Sequence, residues 1–243
     1  MAAARGRNAG RGTGGAGSGE ARGGRSGTEV KAARRPEVRL PVLTPFGEGE
    51  LAPDGDYDGV EFQGLDLGGQ DGGGALFMDC ALAGCGLTET RLHAARFIDS
   101  VVTGPQGVGT DLAGASLRDV EVVDARLGGV QLHGAVLERV VVRGGKIDYL
   151  NLRKAKLKDV VFEECVLVEP DFGAASLERV EFKGCALRGA DFSGARLRDA
   201  DLREAAQLEI ARGVDCLAGA VVSPGQLLDL APVFAAQLGV RVL

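Results

Sequence analysis

Cysteine and histidine offer the chain's first options for chemistry. Cys80 and Cys85 stand five apart, Cys165 and Cys185 twenty apart, and the two histidines, His93 and His133, forty apart. Regular thiol spacing invites a metal site, although no Cys-x-x-Cys pair is present. The stretch 68–74, GGQDGGG, has the glycine content of a phosphate loop, but no Gly-Lys-Ser/Thr follows it.

These spacings belong to a larger count. From Phe62 to Leu202 every fifth residue is a large apolar one, 29 positions in unbroken phase, with only Gly72 and Gly107 as exceptions. The four cysteines all fall two places before such a centre: Cys80 before Leu82, Cys85 before Leu87, Cys165 before Leu167 and Cys185 before Leu187. A thiol there is expected to be a small apolar filler. Cys216 lies outside the regular count. His93 and His133 each follow a centre by one residue, two coils and about 10 Å apart, too far to share a metal ion. No nucleophile–base pair stands out from the repeat, so no catalytic residue, metal or cofactor is expected.

A period of five matches neither a helix, near 3.6, nor a flat strand, near 2. The position two before each centre supplies the second clue. Ala75, Ala95, Ala115, Ala135, Ala155, Ala175 and Ala195 recur every twenty residues, as do Val120, Val140, Val160 and Val180. Four five-residue sides therefore make one coil, and equivalent sides stack, which is a solenoid. The centre and the small residue point inward and the residue between them outward, because extended side chains alternate. About seven coils at the strand spacing make a rod of about 34 Å.

The copies AASL (174–177), GADF (189–192), GARL (194–197) and DADL (199–202) follow the pattern A(D/N)Lxx. In this the chain resembles the pentapeptide-repeat family over about residues 60–202, with Val, Cys or Thr at many of the small positions. The resemblance implies an all-β solenoid, a right-handed, four-sided β-helix. Residues 60–222 are expected to form it, with an irregular last coil. Residues 223–243 should add a helical cap, with Ser223 as N-cap, Pro224 at its first position, a break or restart at Pro232 and an end at Gly239. Gly72 and Gly107 are expected to mark a bulged corner or a protruding loop.

The ends differ in charge. Net charge is −6, yet residues 1–40 hold nine Lys/Arg against three Asp/Glu, and the other 203 hold 19 against 31. Residues 1–37 are too poor in large apolar groups to offset ordering and are expected to be a disordered basic tail. Residues 38–59 are Pro-rich, then acidic, with Val38–Leu43 expected as an edge strand across the end of the stack. No apolar run of signal-peptide or membrane-spanning length is present, so the cytoplasm and reduced thiols are expected.

Function must then lie outside. One outward column runs Asp71, Arg91, Asp111, Gln131, Asn151, Asp171, Asp191, and its neighbour Leu76, Arg96, Ser116, Val136, Lys156, Ser176, Arg196. Val136, Val141, Val161 and Val166 are expected to form an apolar patch for a partner or a second copy of the chain, with Asp111, Asp171 and Asp191 as the acidic part of that surface. The function expected is a non-enzymatic scaffold for an unidentified protein partner, without membrane contact. Nucleic acid would be met only through the basic tail. The family resemblance implies an alternative: some members imitate duplex DNA and bind DNA gyrase or topoisomerase, protecting it from quinolone-type inhibitors. Asp111, Glu121, Asp171, Glu181, Asp191 and Asp201 would then stand for phosphates. Arg96, Lys146, Arg153, Lys154, Lys156 and Lys158 interrupt that field.

Overall fold

The last residue of each five-residue unit turns the chain. Asp119, Gly134, Arg139 and Asp159 have φ of 54, 70, 52 and 57°, and the same left-handed backbone recurs at nearly every fifth position. Left-handed backbone costs a residue with a side chain about 1 kcal/mol, least for Asp, so Gly and Asp dominate these corners. Four corners close a twenty-residue coil.

The computed structural model describes residues 30–47 and 49–241. Successive coils pair in parallel register. On one wall the outward residues Glu61, Ala81, Val101, Glu121, Val141, Val161, Glu181, Asp201 and Val221 form a single ladder, begun by Pro45 opposite Glu61. Those ten rungs make nine turns, about 43 Å at the strand spacing. The count exceeds the expected seven because both ends pair outside the regular repeat. Thr44 pairs with Val60 after sixteen residues, and near the far end an extra residue sets Leu187 opposite Leu208.

The alanine file stacks inside. Ala75 through Ala175 are fully buried and Ala195 nearly so. Each of Ala75 to Ala175 accepts a hydrogen bond from the coil above, as Ala135 does from the Lys156 N–H at 2.8 Å. Where the small position is polar, its hydroxyl is satisfied by the coil below. Thr90 and Thr110 donate to the carbonyls of Leu67 and Leu87 at 2.9 and 2.7 Å, and Ser100, which donates to Ile98 O at 2.7 Å, accepts from the Cys80 N–H of the coil below at 3.1 Å. Burying a hydroxyl this way avoids the penalty of an unpaired polar group.

Neither glycine defect is a protruding loop. At Gly72 the missing side chain is replaced by Leu51, whose Cδ1 lies 3.4 Å from where a Cβ would stand. At Gly107 the chain stays in the ladder, paired with Leu127, and a Cβ would lie 2.6 Å from the Thr88 nitrogen. Only glycine lets the coil settle that close.

The ends are closed by side chains. Phe46 stacks on Phe62 with centroids 4.5 Å apart at the first coil. At the other end helix α1, Pro224–Gln237, begins with a capping box between Ser223 and Gln226. The Gln226 side-chain amide donates to the last coil at Leu202 O, 2.7 Å, and Leu230 is buried beneath the helix. Pro232 sits inside α1 without breaking it. The carbonyl it leaves unpaired belongs to Leu228, on the exposed side, where water can serve it. Gly239, φ 71°, ends the helix, with Val240 N–H donating to Ala235 O at 2.8 Å.

Residues 30–43 form no strand. They descend the outside of the rod, from Lys31 beside Asp199 to Thr44 beside Val60. The part of the expected basic tail that is described, residues 30–37, is thus laid on the rod, and Val38–Leu43 is not an edge strand. Residues 1–29 of that tail lie outside the described residues.

Candidate interaction surface

The four valines proposed as one patch lie on three walls. Val136 pairs between Ser116 and Lys156 and is 42% exposed. Val166 pairs between Lys146 and Ala186 on a different wall. Val141 and Val161 share the wall between them, point outward, and are nonetheless buried, Val161 at 0% exposure. Corners separate the three sets, so no joint patch forms. The two buried valines already have a cover, which is the chain itself.

That cover, residues 30–43, is held by carboxylates. The Ala33 N–H donates to Glu181 Oε1 at 2.8 Å and the Arg34 N–H to Asp159 Oδ1 at 3.1 Å. The Arg35 guanidinium pairs with Glu163, which also receives Arg143 at 2.9 Å. Pro36 is buried. The contacts surround Val161, and Val141 lies one rung below. The Arg35 hydrogen bond, ahead of the opposing effect of burial, holds the Glu163 carboxyl below its ordinary value and the guanidinium above its own.

Beside this wall runs a corner ladder. Its left-handed residues read Asp99, Asp119, Arg139, Asp159, Arg179, Asp199. Arg139 grips Asp119 through two hydrogen bonds of 2.6 Å, and Arg179 grips Asp159 at 2.6 and 2.8 Å. Asp159 is 1% exposed. Burial works to raise its carboxyl, but the Arg179 guanidinium and the Arg34 N–H outweigh that and hold it low. Among the described residues Asp99 has no such partner: burial, then the charges of Asp119 and Asp79, push its carboxyl up. The ladder went unnoticed in the sequence. Reading the corner position every twenty residues would have found its Asp–Arg pairs; the cover would not have been found.

The expected acidic column does stack, rung on rung, from Asp71 through Asp111 to Asp191. It is an ion-pair and amide ladder more than a negative field. Arg91 meets Asp71 at 3.2 Å, Asn151 donates to Gln131 at 2.7 Å, Arg153 meets Asp171 at 3.1 Å and Arg212 meets Asp191 at 2.9 Å. Elsewhere Glu181 meets Lys183 at 2.7 Å and Asp201 meets Arg203 at 2.6 Å.

Inside, Cys80, Cys85, Cys165 and Cys185 are buried, with thiols on backbone carbonyls, as Cys85 is on Phe62 O at 3.3 Å. A hydrogen bond with Cys185, together with burial, raises the Cys165 thiol and keeps it protonated. His93 and His133 are exposed on turns two coils apart. Among the described residues no group of three His, Cys, Asp or Glu is placed to hold a metal ion, and no helix is long and apolar enough to cross a membrane.

The pentapeptide repeat region profile matches residues 75–152 and 146–210. The chain belongs to the pentapeptide-repeat family. Among solved structures this pentapeptide-repeat protein is similar to HetL, a pentapeptide repeat protein involved in heterocyst differentiation regulation from the cyanobacterium Nostoc sp. strain PCC 7120. The two are 21% identical over 73% of this chain and 93% of that one, with a TM-score of 0.31. It is also similar to full-length QnrB1, a plasmid-mediated fluoroquinolone resistance protein, at 14% identity over 79% of this chain and 95% of that one, with a TM-score of 0.35. No curated protein matches the chain.

Proposed function

We propose that this protein is a non-enzymatic scaffold that presents the outward side chains of a rigid rod to a protein partner. One observation carries this. Each coil commits its centre and small positions to a closed, largely apolar interior, so polar groups capable of recognition stand outside in ladders one strand spacing apart. Such ladders suit extended contact along a wall better than convergence on a reacting atom. The alternative, a DNA mimic acting on gyrase, needs unpaired carboxylates. Four of its six named acids, Asp171, Glu181, Asp191 and Asp201, stand beside a cation, which favours the scaffold.

The test is affinity capture from the native cell with the full chain as bait. A variant reversing Lys156 and Arg196 on the open wall of Val136 serves as the control. A partner retained by the native chain and lost by the variant is expected. A turnover reaction in the purified protein, or no retained protein on any wall, would defeat the proposal. Purified gyrase should supercoil DNA unaffected at micromolar protein; inhibition would move the assignment to the DNA mimic.

A further inference from the structure

We infer that the wall bearing Val141 and Val161 is a binding groove for an extended, cationic, proline-containing peptide of a partner protein, and that residues 30–37 are its resident occupant. This rests on the scaffold function proposed above and names the class of partner one wall would take.

The groove is built for such a ligand. Its floor is apolar, two outward valines that a free rod would leave wet. Its sides are three carboxylates, Asp159, Glu163 and Glu181, at heights matched to what lies on them. Two of them accept backbone N–H groups, a contact any residue but proline can make. The third takes a guanidinium. Pro36, next along the strap, is buried. The specification is therefore short: two free N–H groups, an arginine, then a proline, in extended backbone. Extended peptides with proline bind with little ordering cost because their backbone is already restricted.

The resident segment is held by single polar contacts and the buried Pro36, not by a backbone ladder. It adds no strand pairing until Thr44. Lys31, Arg34, Arg35, Glu37 and Arg39 are exposed, and Val42 is 98% exposed. Few buried contacts and exposed backbone mark the elements that open first. Its advantage is tethering: attached at Thr44, it faces the groove at an effective concentration on the order of millimolar. A partner peptide must exceed that, so the strap sets a threshold for binding in trans.

The experiment uses the full chain and a fluorescent peptide of its residues 30–41, VKAARRPEVRLP, read by anisotropy. The native chain should bind weakly. Arg35→Glu, which loosens the strap but leaves the groove intact, should bind the peptide at least about tenfold more tightly, by release from tethered competition. Ala33→Pro, which removes the N–H given to Glu181, should do the same and guards against a single misfolded variant. Adding Glu163→Arg to Ala33→Pro should abolish the gain, whereas added to Arg35→Glu it would only exchange the charges of the strap's own ion pair. No binding up to about millimolar peptide by two loosened variants that keep native circular dichroism would overturn the inference. So would equal binding after Glu163→Arg, which would mark mere attraction of a cation to an acidic rod. Light scattering supplies the remaining outcome. Dimers of the native chain that Arg35→Glu dissolves would give the groove to a second copy's strap and overturn a foreign partner. Failure here leaves the scaffold function standing, because the other walls remain open.

Discussion

The middle of the rod and its C-terminal third share one coil but differ inside. In the C-terminal third Phe162 stacks on Phe182 with centroids 5.1 Å apart, and Phe172 on Phe192 at 5.0 Å, each pair nearly parallel. Phe172 meets Phe182 edge to face at 5.9 Å, tying the two files together. The middle has no phenylalanine between Phe97 and Phe162. There Val102, Val122 and Val142 occupy the file of Phe162 and Phe182, Leu112, Leu132 and Leu152 that of Phe172 and Phe192, and a cavity of about 100 Å³ remains, lined wholly by apolar side chains. On the wall of Glu121, Val141, Val161, Glu181 and Asp201 the backbone ladder runs through both regions unchanged. Coil geometry is therefore set by the corners and the register, and the interior is filled to whatever density the residues supply. In a stacked repeat a local deficit is felt chiefly by neighbouring coils.

Five substitutions and one titration can break or sharpen this contrast. Leu152→Asp should have the largest effect. Leu152 lines the cavity and is fully buried, and an unpaired carboxylate there should cost more than about 5 kcal/mol and unfold the rod. A native circular dichroism spectrum would show that the middle admits water and is not a dry core. Phe182→Ala, which empties both a stacked and an edge contact, should cost about 3–5 kcal/mol in urea unfolding. A loss under about 1 kcal/mol would mean that the tight third has no packing advantage.

Ala135→Leu should cost about 1–3 kcal/mol even though the cavity lies nearby, because Ala135 stands in the close-packed file and not on the cavity wall. An unchanged midpoint would mean that the file can shift into the void. Val122→Leu should fill part of the cavity and gain up to about 1 kcal/mol, or about 2–4 °C in Tm for a chain of this size. The same exchange at Val180, in the filled third, should destabilise.

The smallest effect concerns acid. The Asp159 and Glu163 carboxyls sit below their ordinary values in the folded chain. Their contribution is thus present above the unfolded value, about 4, and is lost as pH falls through the folded value. Stability should decline on the acid side below about pH 4, and Asp159→Asn should flatten that limb in thermal melts. A limb unchanged in the variant would place the acid sensitivity on other groups.

Phase was legible in the chain because every fifth residue repeats the same local problem: a centre facing in, a corner bending left. Leu137 and Ala135 could be placed inside without knowing any other coil. The helix start at Ser223 was readable for the same local reason, and Pro232 was misread because the exposure of its unpaired carbonyl depends on where the helix docks. Leu51 filling the gap at Gly72 was hidden, since the two are 21 positions apart and Leu51 lies outside the count. Val141 and Val161 were correctly read as outward and wrongly read as free.

By itself, then, the amino-acid order determined the twenty-residue circuit, the interior files and the family. Local geometry repeated often enough leaves no other way to bury so many apolar centres. The tertiary structure alone decided that the circuit closes nine times, which arginine neutralises which aspartate, and that residues 30–43 lie along one wall. Those contacts join positions up to 168 apart, as Lys31 joins Asp199, and the wall they rest on exists only after the coils have stacked.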